Sequence, residues 1–227
     1  MDLKNKVIVI TGSTKGLGRA IASGFINEQA KVIINSRSKE ELEEVSKEIS
    51  ATPFVGDVTK ESDMQALADF TVKTFGEIDV WINNAGIWLP HKPIEETDWK
   101  RARDLIEVNL FGTVYGSKVA LAQMRKQESG VIINIISTSG LNGKVNETAY
   151  CASKFAVSGF TKSLAKEVDE NKIKVIGIYP GGMQTNLFDE KRPENYNDFM
   201  NPNSVAEKII QNLKLKKPEE ELIISRK

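Results

Sequence analysis

The sequence is poor in the residues that build several common kinds of site. It holds one cysteine, Cys151, and one histidine, His91. A lone cysteine excludes an internal disulfide and any cysteine-rich metal cluster. A lone histidine excludes a multi-histidine metal centre, and no metal site is expected. A Ser-His-Asp hydrolase would need His91 as its base, but the setting WLPHKP reads as a loop that borders a pocket or meets solvent. Net charge is missing too, with 31 Lys+Arg against 31 Asp+Glu. That removes a general attraction to nucleic acid or to an anionic membrane, and neither partner is expected. Long apolar runs are absent from the N-terminal MDLKNKVIVITG, whose run VIVI is too short for a signal peptide or a membrane span. A cytoplasmic, reducing setting is the expectation. No Pro/Gly/Ser linker, repeat or low-complexity tract interrupts the chain, so residues 1–227 are expected to form one domain.

What is present is a set of short, almost wholly apolar segments. KVIVIT (6–11), KVIINS (31–36), IDVWIN (78–83), VIINII (131–136), KVIGIY (174–179) and ELIIS (221–225) lack the polar alternation of half-exposed strands, and TPFVG (52–56) is a weaker candidate. Continuous apolar runs suit parallel strands covered on both faces. The spacers read as helices over 16–28, 38–49, 97–126, 148–169 and 204–214. Leu42, Val45 and Ile49 recur at helical spacing, Ser62 and Gln65 suggest a capping box, and Gly76 suggests a helix stop. Strands alternating with helices predict a doubly wound α/β sheet. The least regular stretch, 180–203, is long for a structureless connection, and its part 186–203 reads as a mobile substrate loop.

TGSTKGLG (11–18) lies between the first strand and its helix. Glycines at 12, 16 and 18 allow a sharp turn and leave room for a ligand. The free N–H groups of the following helix favour a phosphate there. The spacing is neither G-x-G-x-x-G nor a P-loop. Taken alone, it is also compatible with a tight turn and nothing more.

Further along, NNAG (83–86) ends one strand and PGGMQT (180–185) ends another, while Asn109, Ser137, Tyr150 and Lys154 follow in order. Together with TGSTKGLG these segments resemble the short-chain dehydrogenase/reductases over nearly the whole chain. The resemblance implies a Rossmann-type sheet of seven parallel strands in order 3-2-1-4-5-6-7, with helices on both faces, a nicotinamide cofactor, and redox chemistry on a small-molecule carbonyl or alcohol. It implies a catalytic set of Asn109, Ser137, Tyr150 and Lys154. Tyr150 would exchange a proton with the substrate oxygen, and Lys154 lies one helical turn away on the same face. Ser137 would bind the substrate oxygen, and Asn109 would help hold a water linking Lys154 to solvent; asparagine being a mediocre helix former, a local kink or a helix–helix hydrogen bond is its second reading. Cys151 would face elsewhere and is read as packing. A tyrosine titrates near pH 10, so reaching pH 7 needs about 4 kcal/mol of differential stabilisation. Lys154 and the oxidised nicotinamide are the expected cations.

The implied cofactor surface comprises Gly12, Thr14, Lys15, Gly16, Leu17 and Gly18, then Ser36 and Arg37, Asp57 and Val58, and Asn84, Ala85 and Gly86. Tyr150, Lys154, Pro180, Gly181, Met183 and Thr185 complete it. The second strand ends in Ser36-Arg37 where an acidic residue would bind the ribose hydroxyls of NAD(H). With Lys15 in the turn, this favours NADP(H), with NAD(H) as the alternative. Asp57 has a second reading as a turn or cap residue. Trp88, Leu89, Leu141, Met183, Leu187 and Phe188 are candidate substrate-pocket residues, and their apolar character suggests a lipophilic ketone or acyl group. Many relatives continue beyond the last strand and use that end in tetramer contacts, which leaves the helices at 97–126 and 148–169 to pair copies in a homodimer or homotetramer. A non-catalytic dinucleotide sensor is the competing class, although such a protein has no need of all four catalytic residues.

Overall fold

The structure, a computed structural model, describes residues 1–169 and 171–226. Its strands are β1 (Val7–Thr11), β2 (Lys31–Ser36), β3 (Thr52–Val55), β4 (Val80–Asn83), β5 (Gly130–Ile135), β6 (Ile173–Pro180) and β7 (Glu221–Ile224). They form one sheet in the order β3-β2-β1-β4-β5-β6-β7, and every neighbouring pair is parallel. The helices are α1 (Gly16–Asn27), α2 (Lys39–Ile49), α3 (Glu61–Phe75), α4 (Trp99–Ile106), α5 (Gly112–Gln127), α6 (Thr148–Lys166) and α7 (Pro202–Lys214).

The apolar runs have the expected cause. Alternate strand residues point to opposite faces, and both faces are covered. Ile8, Ile10, Ile34, Ile82 and Ile133 pack with Ile21 and Phe25 of α1, Leu42 of α2 and Ile209 of α7. Val9, Ile33, Trp81 and Ile132 pack on the other side with Met64 and Leu67 of α3 and Val119, Ala120 and Met124 of α5. Burying a Leu- or Ile-sized side chain contributes about 1.5–3 kcal/mol, so two such layers anchor the strand ends that carry the site.

Three local readings change. The Ser62–Gln65 capping box is not formed. Helix α3 begins at Glu61 after Lys60, with no side-chain cap. The Ser62 hydroxyl donates to Asp63, and Gln65 donates to Asp69 instead. Asp57 ties the turn before α3: its carboxylate accepts from Thr59 N and Oγ1, and its N–H donates to Asp63. The stretch 97–126 is not one regular helix, because a π-helical turn at Glu107–Phe111 separates α4 from α5, with Asn109 at its centre. The stretch 180–203 is not structureless. Short 3-10 turns occupy Asn186–Phe188 and Tyr196–Asp198, and Met183 and Met200 form a parallel bridge. Gly76 does end α3, in the left-handed region, with its N–H bonded to Val72 O. No helix among the described residues is long and apolar enough to cross a membrane.

Candidate active site

The strand order reverses between β1 and β4, and the carboxyl ends of such strands open onto a crevice. A cleft of about 930 Å³ lies there, within the range of small-molecule sites. Its floor is the glycine turn. Gly12 has φ +62°, and a Cβ on it would sit 2.7 Å from Ala85 Cα. A Cβ on Gly18 would sit 2.3 Å from Gly12 O. A side chain at either place would collide with backbone that cannot move aside, so only glycine lets the turn pack this closely. Asn84 locks the turn to the end of β4: its side-chain amide donates to Thr11 O and Gly12 O at 3.0 and 2.8 Å. The Thr11 hydroxyl accepts from the N–H groups of Asn84 and Ala85. Helix α1 starts without a side-chain cap and with no acidic residue in its first turn, so its free N–H groups face the cleft. This cradle fits a dinucleotide's phosphates.

One end of the cleft is polar and charged. Ser36, Arg37, Asp57 and Val58 line it with Thr14 and Lys15. Arg37 is 67% exposed, and its guanidinium lies 4.0 Å from Asp57. Glu41, which the sequence reading missed, also lines this end; it accepts from the Thr14 hydroxyl at 3.2 Å and lies 3.8 Å from Lys15 Nζ. Asn35 is a second unforeseen member. Its amide donates to Phe54 O and Gly56 O, while its buried Oδ1 has no partner among the described residues.

Three of the four residues singled out by the resemblance, Ser137, Tyr150 and Lys154, line the other end, whereas Asn109 is buried and does not. Ser137 follows β5, and Tyr150 and Lys154 lie one turn apart on α6. Lys154 is 5% exposed; its Nζ donates to Ile135 O at 3.1 Å and lies 5.8 Å from the Tyr150 ring centroid. Burial lowers the Lys154 ammonium from its ordinary 10.5 to about 8. Burial pushes the Tyr150 phenol well above its ordinary value; the Ser137 hydroxyl beside it pulls down, and the Glu147 carboxylate adds to the rise. At 5.8 Å an ammonium contributes on the order of 3 kcal/mol at an effective dielectric near 20. That is about two of the three pKa units expected from Lys154 and the oxidised nicotinamide together.

Asn109 is buried on the π turn. It accepts from Ile87 N at 2.8 Å and donates to Ile87 O and the Ser153 hydroxyl at 3.0 and 3.1 Å. It thus fastens the strand-end segment at Ile87 to α6. Its side chain does not bond Lys154 directly. Cys151 is buried.

Gly16, Leu17, Gly86, Pro180, Gly181, Met183 and Thr185 line the same cleft. So do the pocket candidates Trp88, Met183, Leu187 and Phe188, whereas Leu89 and Leu141 do not. Leu141 packs instead on Ile136, Val157 and Tyr179. His91, Ser139 and Glu147 complete the chamber beside Tyr150. Glu147 sits three residues before Tyr150, and only the approach of the 87–93 segment brings His91 to it, so pattern alone did not reveal the pair.

These features place the chain among the doubly wound α/β proteins that take a ligand at the switch in strand order. The comparison with known proteins narrows that class. The family model "short chain dehydrogenase" matches residues 6–196. L-fucose dehydrogenase of Mus musculus is 39% identical over 186 residues, 82% of this chain and 68% of that protein. An uncharacterised oxidoreductase of Staphylococcus aureus (strain MRSA252) is 35% identical over 213 residues, 92% of this chain and 90% of that protein. Among solved structures, a 3-ketoacyl-(acyl-carrier-protein) reductase from Brucella melitensis complexed with NADH superposes with a TM-score of 0.89 at 27% identity, covering 98% of each chain. The chain belongs to the short-chain dehydrogenase family, whose members are oxidoreductases that bind nicotinamide dinucleotides.

Proposed function

We propose that the chain interconverts a carbonyl and a secondary alcohol on a small molecule, with Tyr150 as the acid and base. The observation that carries this reading is the Tyr150–Lys154 pair at the cleft's inner end, with Ser137 beside the phenol. A bound nicotinamide supplies or accepts the hydride, and its oxidised form adds positive charge. In the reducing direction the protonated phenol donates to the forming alkoxide. In the oxidising direction the phenol must first lose its proton, which burial opposes and the Lys154 ammonium favours. The Ser137 hydroxyl donates to the substrate oxygen as charge develops. Asn109 keeps Ile87 and α6 in register, so that Lys154 holds its place. Phe188, within the 186–203 segment, closes one side of the chamber, and that segment is the proposed substrate loop.

For the cofactor, Arg37 supports NADP(H): it is exposed at the end of the cleft, and Ser36 replaces the acid that would repel a 2′-phosphate. A specific observation favours NAD(H) as the second reading, since Glu41 and Asp57 bring carboxylates to the same end. Pairing of two copies through α4–α6 is supported by the exposed Trp99, Phe111 and Phe155. The experiment that tests the reading is turnover of NADPH and NADH over a panel of ketones, acyl thioesters and sugars, with Tyr150→Phe alongside. Binding without turnover across the panel would favour a dinucleotide sensor.

A further inference from the structure

The substrate chamber has two unlike walls. Trp88, Met183, Leu187 and Phe188 form an apolar wall, in which the rings of Trp88 and Phe188 meet edge to face at 5.0 Å. The adjoining wall is polar. Glu147 is held at both oxygens: Oε1 lies 2.7 Å from His91 Nε2, and Oε2 accepts from the Ser139 hydroxyl at 3.3 Å. Ser139 in turn donates its backbone N–H to Ser137 Oγ at 3.0 Å. His91 is braced by Trp88, ring centroids 5.1 Å apart. The carboxylate side chain is only 10% exposed.

A carboxylate offers about four acceptor positions, and these two neighbours use two of them. The remaining acceptor capacity belongs to a nearly buried charge that lines the chamber beside Tyr150. An apolar substrate would remove water from it and return no hydrogen bond, which is costly. A substrate carboxylate or phosphate would meet a like charge. A hydroxyl donor satisfies it. A ring with C–H groups on one side and hydroxyls on the other matches both walls at once.

We propose that Glu147, held by His91 and Ser139, is a specificity-determining residue that selects a neutral cyclic substrate carrying a hydroxyl next to the reacting carbon. The proposal rests on the alcohol/carbonyl reading above. It also revises the lipophilic substrate suggested by the apolar residues alone, because those residues make only half of the chamber.

The test compares kcat/KM for cyclohexanol, vicinal cyclohexanediol and free pyranoses in the wild-type chain, Glu147→Leu and Glu147→Gln, with NADP+ and with NAD+. The expected wild-type ratio favours the diol over cyclohexanol by about tenfold or more, since a site built around a hydroxyl rejects the analogue lacking it. Glu147→Leu brings that ratio close to one. Glu147→Gln keeps part of it, because the amide oxygen still accepts, and it carries the test if the leucine variant does not fold. A parallel titration follows tryptophan fluorescence, to which Trp88 contributes from within the chamber. A saturable change is expected with the diol and not with cyclohexanol, and it is lost without Glu147. Selective, Glu147-dependent binding with no turnover of any alcohol would remove the catalytic reading and leave this one standing. Turnover with no preference for the diol, or a preference unchanged by both substitutions, would overturn this proposal and leave the catalytic reading intact. Neither turnover nor selective binding would overturn both.

Discussion

The ammonium of Lys154 lies 5.8 Å from the centre of the Tyr150 ring and is held there by the carbonyl of Ile135 at 3.1 Å. The hydrogen bond fixes its distance, and burial sets its titration. Lysine titrates at 10.5 when unfolded and at about 8 in the fold. Between those values the unfolded chain holds a proton that the folded chain lacks, so stability rises with pH across that window. Below about pH 8 the full cost of burying the charge applies, roughly 3 kcal/mol. Lys154→Met removes this titration. Its stability relative to wild type, measured by urea unfolding without cofactor, is expected to be greatest near neutral pH and to decline between pH 8 and 10.5. A pH-independent difference would show that Lys154 titrates normally.

The glycine cradle makes a separate prediction. A Cβ on Gly18 meets the backbone oxygen of Gly12 and the Asn84 amide, neither of which can swing away. Gly18→Ala is expected to destabilise the fold by about 1–3 kcal/mol and to weaken NADPH and NADH binding together. Titration calorimetry beside thermal unfolding checks this, and unchanged affinity would place the dinucleotide elsewhere.

Cofactor choice is expected to rest on Arg37 and Glu41, which act in opposite senses. NADPH should bind tighter than NADH by about tenfold or more, near 1.4 kcal/mol. Arg37→Asp should erase or reverse that preference, and Glu41→Gln should enlarge it by relieving repulsion of the 2′-phosphate. Both dissociation constants must be compared at one salt concentration. Equal wild-type values would favour the NAD(H) reading.

Association through the helical face predicts that Phe155→Glu shifts the chain toward monomer, because a charge would replace an exposed aromatic side chain on α6. Sedimentation velocity at several concentrations measures this. A wild-type chain that is monomeric throughout would remove the pairing proposal.

Much of this architecture was readable because few local alternatives competed. KVIINS matches β2 residue for residue, and the other strands differ at their ends by one or two residues. The inner strands β1, β2, β4, β5 and β6 are buried on both faces, so their runs are mostly apolar, whereas the edge strands β3 and β7 are partly exposed. The motif residues were legible because they stand at strand ends and on one face of α6. The walls around them were less so. Glu41 reaches Thr14 across a gap of 27 positions, and His91 reaches Glu147 from a loop with no periodicity to place it. The irregularity at Asn109 was legible only as a local kink or a helix–helix hydrogen bond, because asparagine is a mediocre helix former while nothing in VNLFGT specifies a π turn. The burial around Tyr150 was hidden for a related reason. Sequence showed the neighbouring lysine, whereas burial, which raises the phenol, is a property of the packed fold.

The most direct measurement is the rate of reduced-nicotinamide oxidation by Tyr150→Phe against wild type, on a ketone the wild type turns over, with dinucleotide affinity measured in the same samples. A loss of about 100-fold or more with affinity unchanged is the predicted result, because phenylalanine keeps the ring and removes only the proton donor. A variant that turns over as fast as wild type would contradict the account.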